Sequence, residues 1–157
     1  MRIRSQTFDR LLDYLVFLIL LAMAASMILN VFCRFVLQFS LSWADEMAQI
    51  LLVWLTFLGA AIGIREKAHY AFEYLTGRLS DRRRRYFLLL SHVLTILAIL
   101  VLLYWSGQVA WGIRHWIMPA TEISRAWVYG ACPAGAILML LYSTANIVTV
   151  WQGDRKG

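Results

Sequence analysis

The stretch MAQILLVWLTFLGAAIGI, Met47–Ile64, holds no Asp, Glu, Lys or Arg; Asp45 and Glu46 precede it and Arg65, Glu66 and Lys67 follow it. At about 1.5 Å of rise per residue, these 18 residues cover about 27 Å as a helix, barely enough to cross a hydrocarbon core of about 30 Å. Three more charge-free runs flank it: Tyr14–Cys33, Tyr86–Ile113 and Ala126–Gly153. Backbone in lipid must satisfy its own hydrogen bonds, which leaves helices or closed barrels, and these runs are too long and too uniformly apolar for barrel strands. The sequence therefore predicts an all-α integral membrane protein with four transmembrane helices, over about residues 11–33, 43–64, 86–113 and 126–151, with residues 1–157 forming one membrane domain.

Composition agrees. The chain is 61% hydrophobic and 15% charged, with mean hydropathy +0.65, outside the balance of a water-soluble domain. The start, MRIRSQTFDR before an apolar run containing Ala22-Met23-Ala24, has features of a cleavable signal. The apolar run continues to Cys33, longer than a signal core, so this segment reads as a retained first span.

Positive charge sets the expected orientation. Of 15 Lys and Arg residues, 12 fall before the first run, between the second and third, or after the fourth; Arg34, Arg114 and Arg125 fall on the other side. The positive-inside rule then places both termini and the central loop in the cytoplasm. Arg82, Arg83, Arg84 and Arg85, directly before a span, read as a cytoplasmic anchor on anionic lipid headgroups, so the net charge of +6 calls for no nucleic acid. Between spans two and three, Tyr70, Phe72, Tyr74, Leu75 and Leu79 among charges suggest an interfacial amphipathic helix in the 65–85 segment. Trp43, Trp116, Trp127 and Trp151 fall near span ends, as an aromatic belt requires, whereas Trp54 and Trp105 sit deeper, where packing is their expected role.

At the entrance to the second span, Ser42 and Asp45 have capping-box spacing, and a carboxylate there faces the positive end of the helix dipole. Glu46 turns about a quarter of the way round the helix, and Arg34 is its expected partner across the short loop. Such an ion pair either pins the hairpin of spans one and two or joins the chain to a neighbouring subunit. Gly59 and Gly63 form a small-xxx-small face that lets another helix approach closely, from this chain or another. Pro133 is expected to bend the fourth span.

Transport chemistry at membrane depth needs ionisable groups there, and none of the four runs carries a fixed charge. No nucleophile set, phosphate loop or metal spacing appears, so no enzyme activity, cofactor or metal is expected. His92 and His115 lie about 34 Å apart along one helix and cannot share a haem iron; His69 is in a charged loop. Cys33 and Cys132 read as packing thiols. Two other readings are a self-sufficient homodimeric exporter, which lacks the embedded carboxylate it would need, and a membrane cytochrome subunit.

The stretch NVFCRFVLQFSLSWADEMAQILLVWLTFLGAAIGIREKAHY, Asn30–Tyr70, resembles the small membrane subunit of tripartite ATP-independent periplasmic (TRAP) transporters, the DctQ-like family. The residues that carry the resemblance are Asn30, Val31, Arg34, Phe35, Ser42, Trp43, Asp45, Glu46, Trp54, Phe57, Leu58, Gly59, Ala60, Arg65, Glu66 and His69. After His69 the family pattern gives way to YAFEYL. The resemblance implies a Na⁺-driven importer of organic acids in a bacterial or archaeal inner membrane. In it a periplasmic substrate-binding protein delivers substrate to a large membrane subunit, which holds the substrate and sodium sites. The small subunit is then a scaffold beside the large one, with Arg34, Trp43, Asp45, Glu46, Gly59 and Gly63 as structural or interface residues.

Overall fold

The computed structural model describes residues 6–66 and 81–153, except the side chains of 81–85, 87–89 and 147–153. Four helices account for most of it: α1 (Gln6–Val36), α2 (Ser42–Arg65), α3 (Asp81–Gly112) and α4 (Ala126–Gly153). Each is long and apolar enough to cross a membrane. The expected amphipathic segment, with Tyr70, Phe72, Tyr74, Leu75, Leu79 and His69, lies outside the described residues; so do the side chains of Arg82, Arg83, Arg84 and Arg85, whose backbone forms the first turn of α3.

Packing runs α1, α2, α4, α3, so the third helix in sequence flanks the fourth. α2 and α4 form the centre, while α1 and α3 turn most of their apolar surface outward, including Leu11, Phe17 and Ile28 on α1 and Val93, Leu97 and Trp105 on α3. In water that surface would be untenable; in lipid it is the expected exterior. Leu12, Leu58, Ala61, Ile99, Ala136, Met139 and Tyr142 make one buried cluster, to which all four helices contribute.

Lipid tails are as apolar as leucine, so close packing and hydrogen bonds must hold such helices together. Close packing is concentrated between α2 and α4, where Ala61, Ala131, Gly135 and Ala136 are buried. A Cβ added to Gly135 would lie 2.6 Å from Phe57 Cβ and 3.1 Å from the Phe57 carbonyl oxygen, so only hydrogen fits there. Pro133 lies two residues earlier, inside a helix that continues to Gly153.

Gln38, at φ 60°, turns the chain out of α1. Residues 116–125 form a small hairpin between α3 and α4: Arg125 N donates to Trp116 O at 2.8 Å, Met118 N to Ile123 O at 2.9 Å, and Glu122 sits at φ 56° in its tip. Met118 is buried with Ile50 and Val128, so the hairpin roofs one end of the bundle.

Candidate functional site

Among the described residues, the charged side chains that bond between elements of this bundle gather in two layers, one at each end of α2. Glu46 and Arg65 are about 28 Å apart along the helix, close to one hydrocarbon thickness.

In the first layer, adjacent carboxylates grip opposite sides. Asp45 Oδ1 accepts from Asn30 Nδ2 at 2.7 Å, and Asn30 Oδ1 accepts from Leu41 N at 3.2 Å. Asn30 is buried in α1, so both ends of its amide are used to fix the α1–α2 turn. Leu41, not Ser42, is the N-cap, and no side chain caps the helix. The capping box expected of Ser42 and Asp45 does not form, because α2 starts one residue early and Asn30 takes up Asp45 instead.

Glu46 does not pair with Arg34. Its carboxylate accepts from Ala120 N at 2.9 Å, Thr121 N at 2.8 Å and Thr121 Oγ1 at 2.7 Å. Two backbone donors and a hydroxyl thus clamp the tip of the 116–125 hairpin onto α2. Arg34, in the last turn of α1, is exposed, as is Trp43. Trp54, expected only to pack, also donates from Nε1 to Trp127 O at 3.0 Å and so ties α2 to the start of α4.

We expect Glu46→Ala to release the hairpin: hydrogen–deuterium exchange at the amides of Ala120 and Thr121 should accelerate while exchange in the middle of α2 stays unchanged. Glu46→Gln keeps one carbonyl acceptor and should fall between the two.

The second layer was missed as a cluster in the sequence, where Arg65 reads as one more cytoplasmic charge. It is 5% exposed. Its guanidinium donates to Asp13 Oδ1 at 2.6 Å, to the Asp9 carbonyl at 3.1 Å and to Glu66 Oε1 at 3.1 Å. Tyr142 Oη donates to Asp9 Oδ1 at 3.0 Å, and Asn146 Nδ2 to Ile64 O at 2.9 Å. One arginine therefore joins α1 to α2, and Tyr142 and Asn146 bring in α4. The signal available in the sequence was Asp9 and Asp13, four apart on one face of α1, with Arg65 closing the second run.

Gly59 and Gly63, expected to meet another helix, have no atom of the described residues within 4 Å of where a Cβ would stand, apart from immediate chain neighbours and their own helix backbone. Gln49, Leu52, Thr56 and Ala60 are exposed on the same arc of α2. Thr56 Oγ1 donates within its own helix to Leu52 O at 2.8 Å. Both cysteines are free thiols, Cys33 buried and Cys132 half-buried.

Four long apolar helices, with two hydrogen-bonded polar layers about one hydrocarbon thickness apart, define a helical multi-pass membrane protein. Comparison with known families gives the particular class: residues 23–153 match the model of the DctQ component of tripartite ATP-independent periplasmic transporters. The chain belongs to that family and is a transporter component.

It is 24% identical over 132 residues to the sialic acid TRAP transporter permease protein SiaT of Haemophilus influenzae strain 86-028NP, covering 84% of this chain and 21% of that one. A protein of H. influenzae strain ATCC 51907 named as a TRAP transporter small permease is 24% identical over 82% of this chain and 78% of its own length. The C4-dicarboxylate TRAP transporter small permease protein DctQ of Rhodobacter capsulatus is 42% identical over 52 residues, 33% of this chain and 23% of that protein. The chain thus spans about a fifth of the first of these relatives and most of the second.

Proposed function

We infer that this chain is the small scaffold subunit of a Na⁺-coupled, binding-protein-dependent importer of organic acids, and that it braces the large permease subunit without carrying the transport site. The observation that carries this reading is the distribution of charge. Between the two polar layers, the described helices offer no carboxylate or fixed cation to bind and release an ion, and Asp13, Asp45, Glu46 and Arg65 are engaged in holding the bundle together. This favours a brace over the homodimeric exporter or cytochrome readings.

In the same reading both termini and the Arg82–Arg85 anchor face the cytoplasm of a bacterial inner membrane. The 116–125 hairpin then faces the periplasm, where the substrate-binding protein docks transiently. Arg34, Trp43, Asp45 and Glu46 shape that end. The open arc of α2 with Gly59 and Gly63 is the surface that takes a helix of the large subunit. Support comes from the space above both glycines and from Gln49, a carboxamide exposed about two turns into α2 that lipid cannot satisfy.

The test is co-expression with the large subunit. Gly59→Leu with Gly63→Leu should leave the thermal stability of the isolated chain unchanged and sharply reduce the large subunit recovered with it. Full recovery and unimpaired sodium-dependent uptake in vesicles would refute this interface.

A further inference from the structure

At the Glu46 end of the bundle, the residues around the hairpin form an exposed surface apart from the contacts that hold the helices together. Arg114 follows α3 and lies with its guanidinium carbon 4.2 Å from the centroid of the Trp111 ring, while its Nη1 donates to the Trp111 carbonyl at 2.9 Å. Arg125 ends the hairpin with its guanidinium carbon 6.0 Å from the Trp116 ring. Ser124 Oγ donates to Arg114 O at 2.7 Å, and Arg125 N donates to Trp116 O at 2.8 Å, so the two arms of the hairpin bring both arginines to its base.

Both arginines are exposed, and neither has a carboxylate within ion-pair distance among the described residues. The nearby acid, Glu46, is committed to Ala120 and Thr121. Around them Trp111, Trp116, Ile117 and Trp127 are all more than 60% exposed.

Large exposed rings beside cations fit a partner that is apolar on one side and anionic on the other. Tryptophan settles at the level of lipid headgroups, and a guanidinium held over a ring keeps N–H groups free for a phosphate, which it can engage through two parallel hydrogen bonds. We propose that Arg114 and Arg125, backed by Trp111 and Trp116, bind the phosphate of an anionic phospholipid in the leaflet at the hairpin end. This site lies across the bilayer from the Arg82–Arg85 run. It rests on the four helices being bilayer spans and is independent of what the large subunit does.

Native mass spectrometry of the full chain in mixed micelles tests it. An Arg82–Arg85→Gln background removes the competing basic run at the opposite end. Titration compares phosphatidylglycerol with phosphatidylcholine. In this background the chain should prefer phosphatidylglycerol by roughly thirtyfold, about fivefold from each of two surface arginines acting together. Adding Arg114→Gln and Arg125→Gln should abolish that preference, whereas Arg114→Lys and Arg125→Lys, which keep charge but lose the planar fork, should retain part of it. An unchanged melting temperature identifies the variants as folded. Absence of any preference in the background chain, or a preference that survives both glutamines, overturns the proposal. So does a pair of glutamines that weakens capture of the periplasmic binding protein while lipid selectivity stays intact, since the cations would then serve a protein surface.

Discussion

Replacing Arg65 by Met should lower the melting temperature of the purified chain by roughly 6–12 °C, corresponding to about 3 kcal/mol. The side chain is 5% exposed and donates to three acceptors, two of them on α1. Met fills much of the same volume, so the change isolates charge and hydrogen bonding from packing. Its loss leaves the Asp13 carboxylate and the Asp9 carbonyl without their donor at the point where α1 meets α2. Asp13 is half-exposed and recovers water, which keeps the cost at the lower end of what breaking a buried ion pair brings. Lys at this position keeps the charge but not the fork that reaches separate acceptors, so Arg65→Lys should fall between wild type and Met. Tyr142→Phe removes only the bond to Asp9 and should cost less than either. In a Cys132→Ala background the buried Cys33 thiol offers the readout, because a thiol-reactive dye labels it when α1 separates. A shift below about 2 °C for Arg65→Met would mean that apolar contacts and the Asn30–Asp45 bond hold α1 without help from Arg65.

The spans were legible because hydropathy reads the cost of charge in lipid directly, and the same fact explains where the reading stopped short. α1 begins at Gln6 and α3 at Asp81, ahead of the expected 11 and 86, because a helix ends where its backbone hydrogen bonding ends, not where charge begins. Asp9, Arg10 and Asp13 are compatible with a helix, which continues past the apolar run that must fit the hydrocarbon.

The site was legible in place but not in partnership. Asp45 and Glu46 stood out at the span entrance, yet Glu46 is met by backbone N–H groups more than 70 residues away, and a backbone donor leaves no mark in the sequence. Arg34 was the nearest positive charge in sequence; the bundle turns the α3–α4 connection, not the end of α1, toward Glu46. Arg65 shows the converse: a chain position cannot distinguish a solvated cation from one enclosed by three helices. The glycines make the point for packing. The glycines of GAAIG have the recognised spacing and stand open among the described residues, while the isolated Gly135 is where the helices touch.

Gly135→Leu should therefore prevent the chain from being recovered as a folded species, and even Gly135→Ala should lower its stability by about 1–3 kcal/mol. The added Cβ would stand 2.6 Å from Phe57 Cβ and 3.1 Å from the Phe57 carbonyl oxygen, and neither is the far end of a flexible side chain. Relief requires α2 and α4 to move apart, which loosens Ala61 and Ala136 on the same seam and strains the Trp54 bond to Trp127. Helix propensity opposes this loss, since alanine is favoured over glycine in a helix interior by about 0.8–1.0 kcal/mol, so a net destabilisation would establish that contact, not backbone preference, dominates. Phe57→Ala tests the geometry further. It removes the ring but keeps the Cβ and the carbonyl, so it should not rescue Gly135→Ala, and the two changes together should cost at least as much as either alone. Rescue would place the clash on the ring, with α2 and α4 farther apart than the distances at Gly135 require.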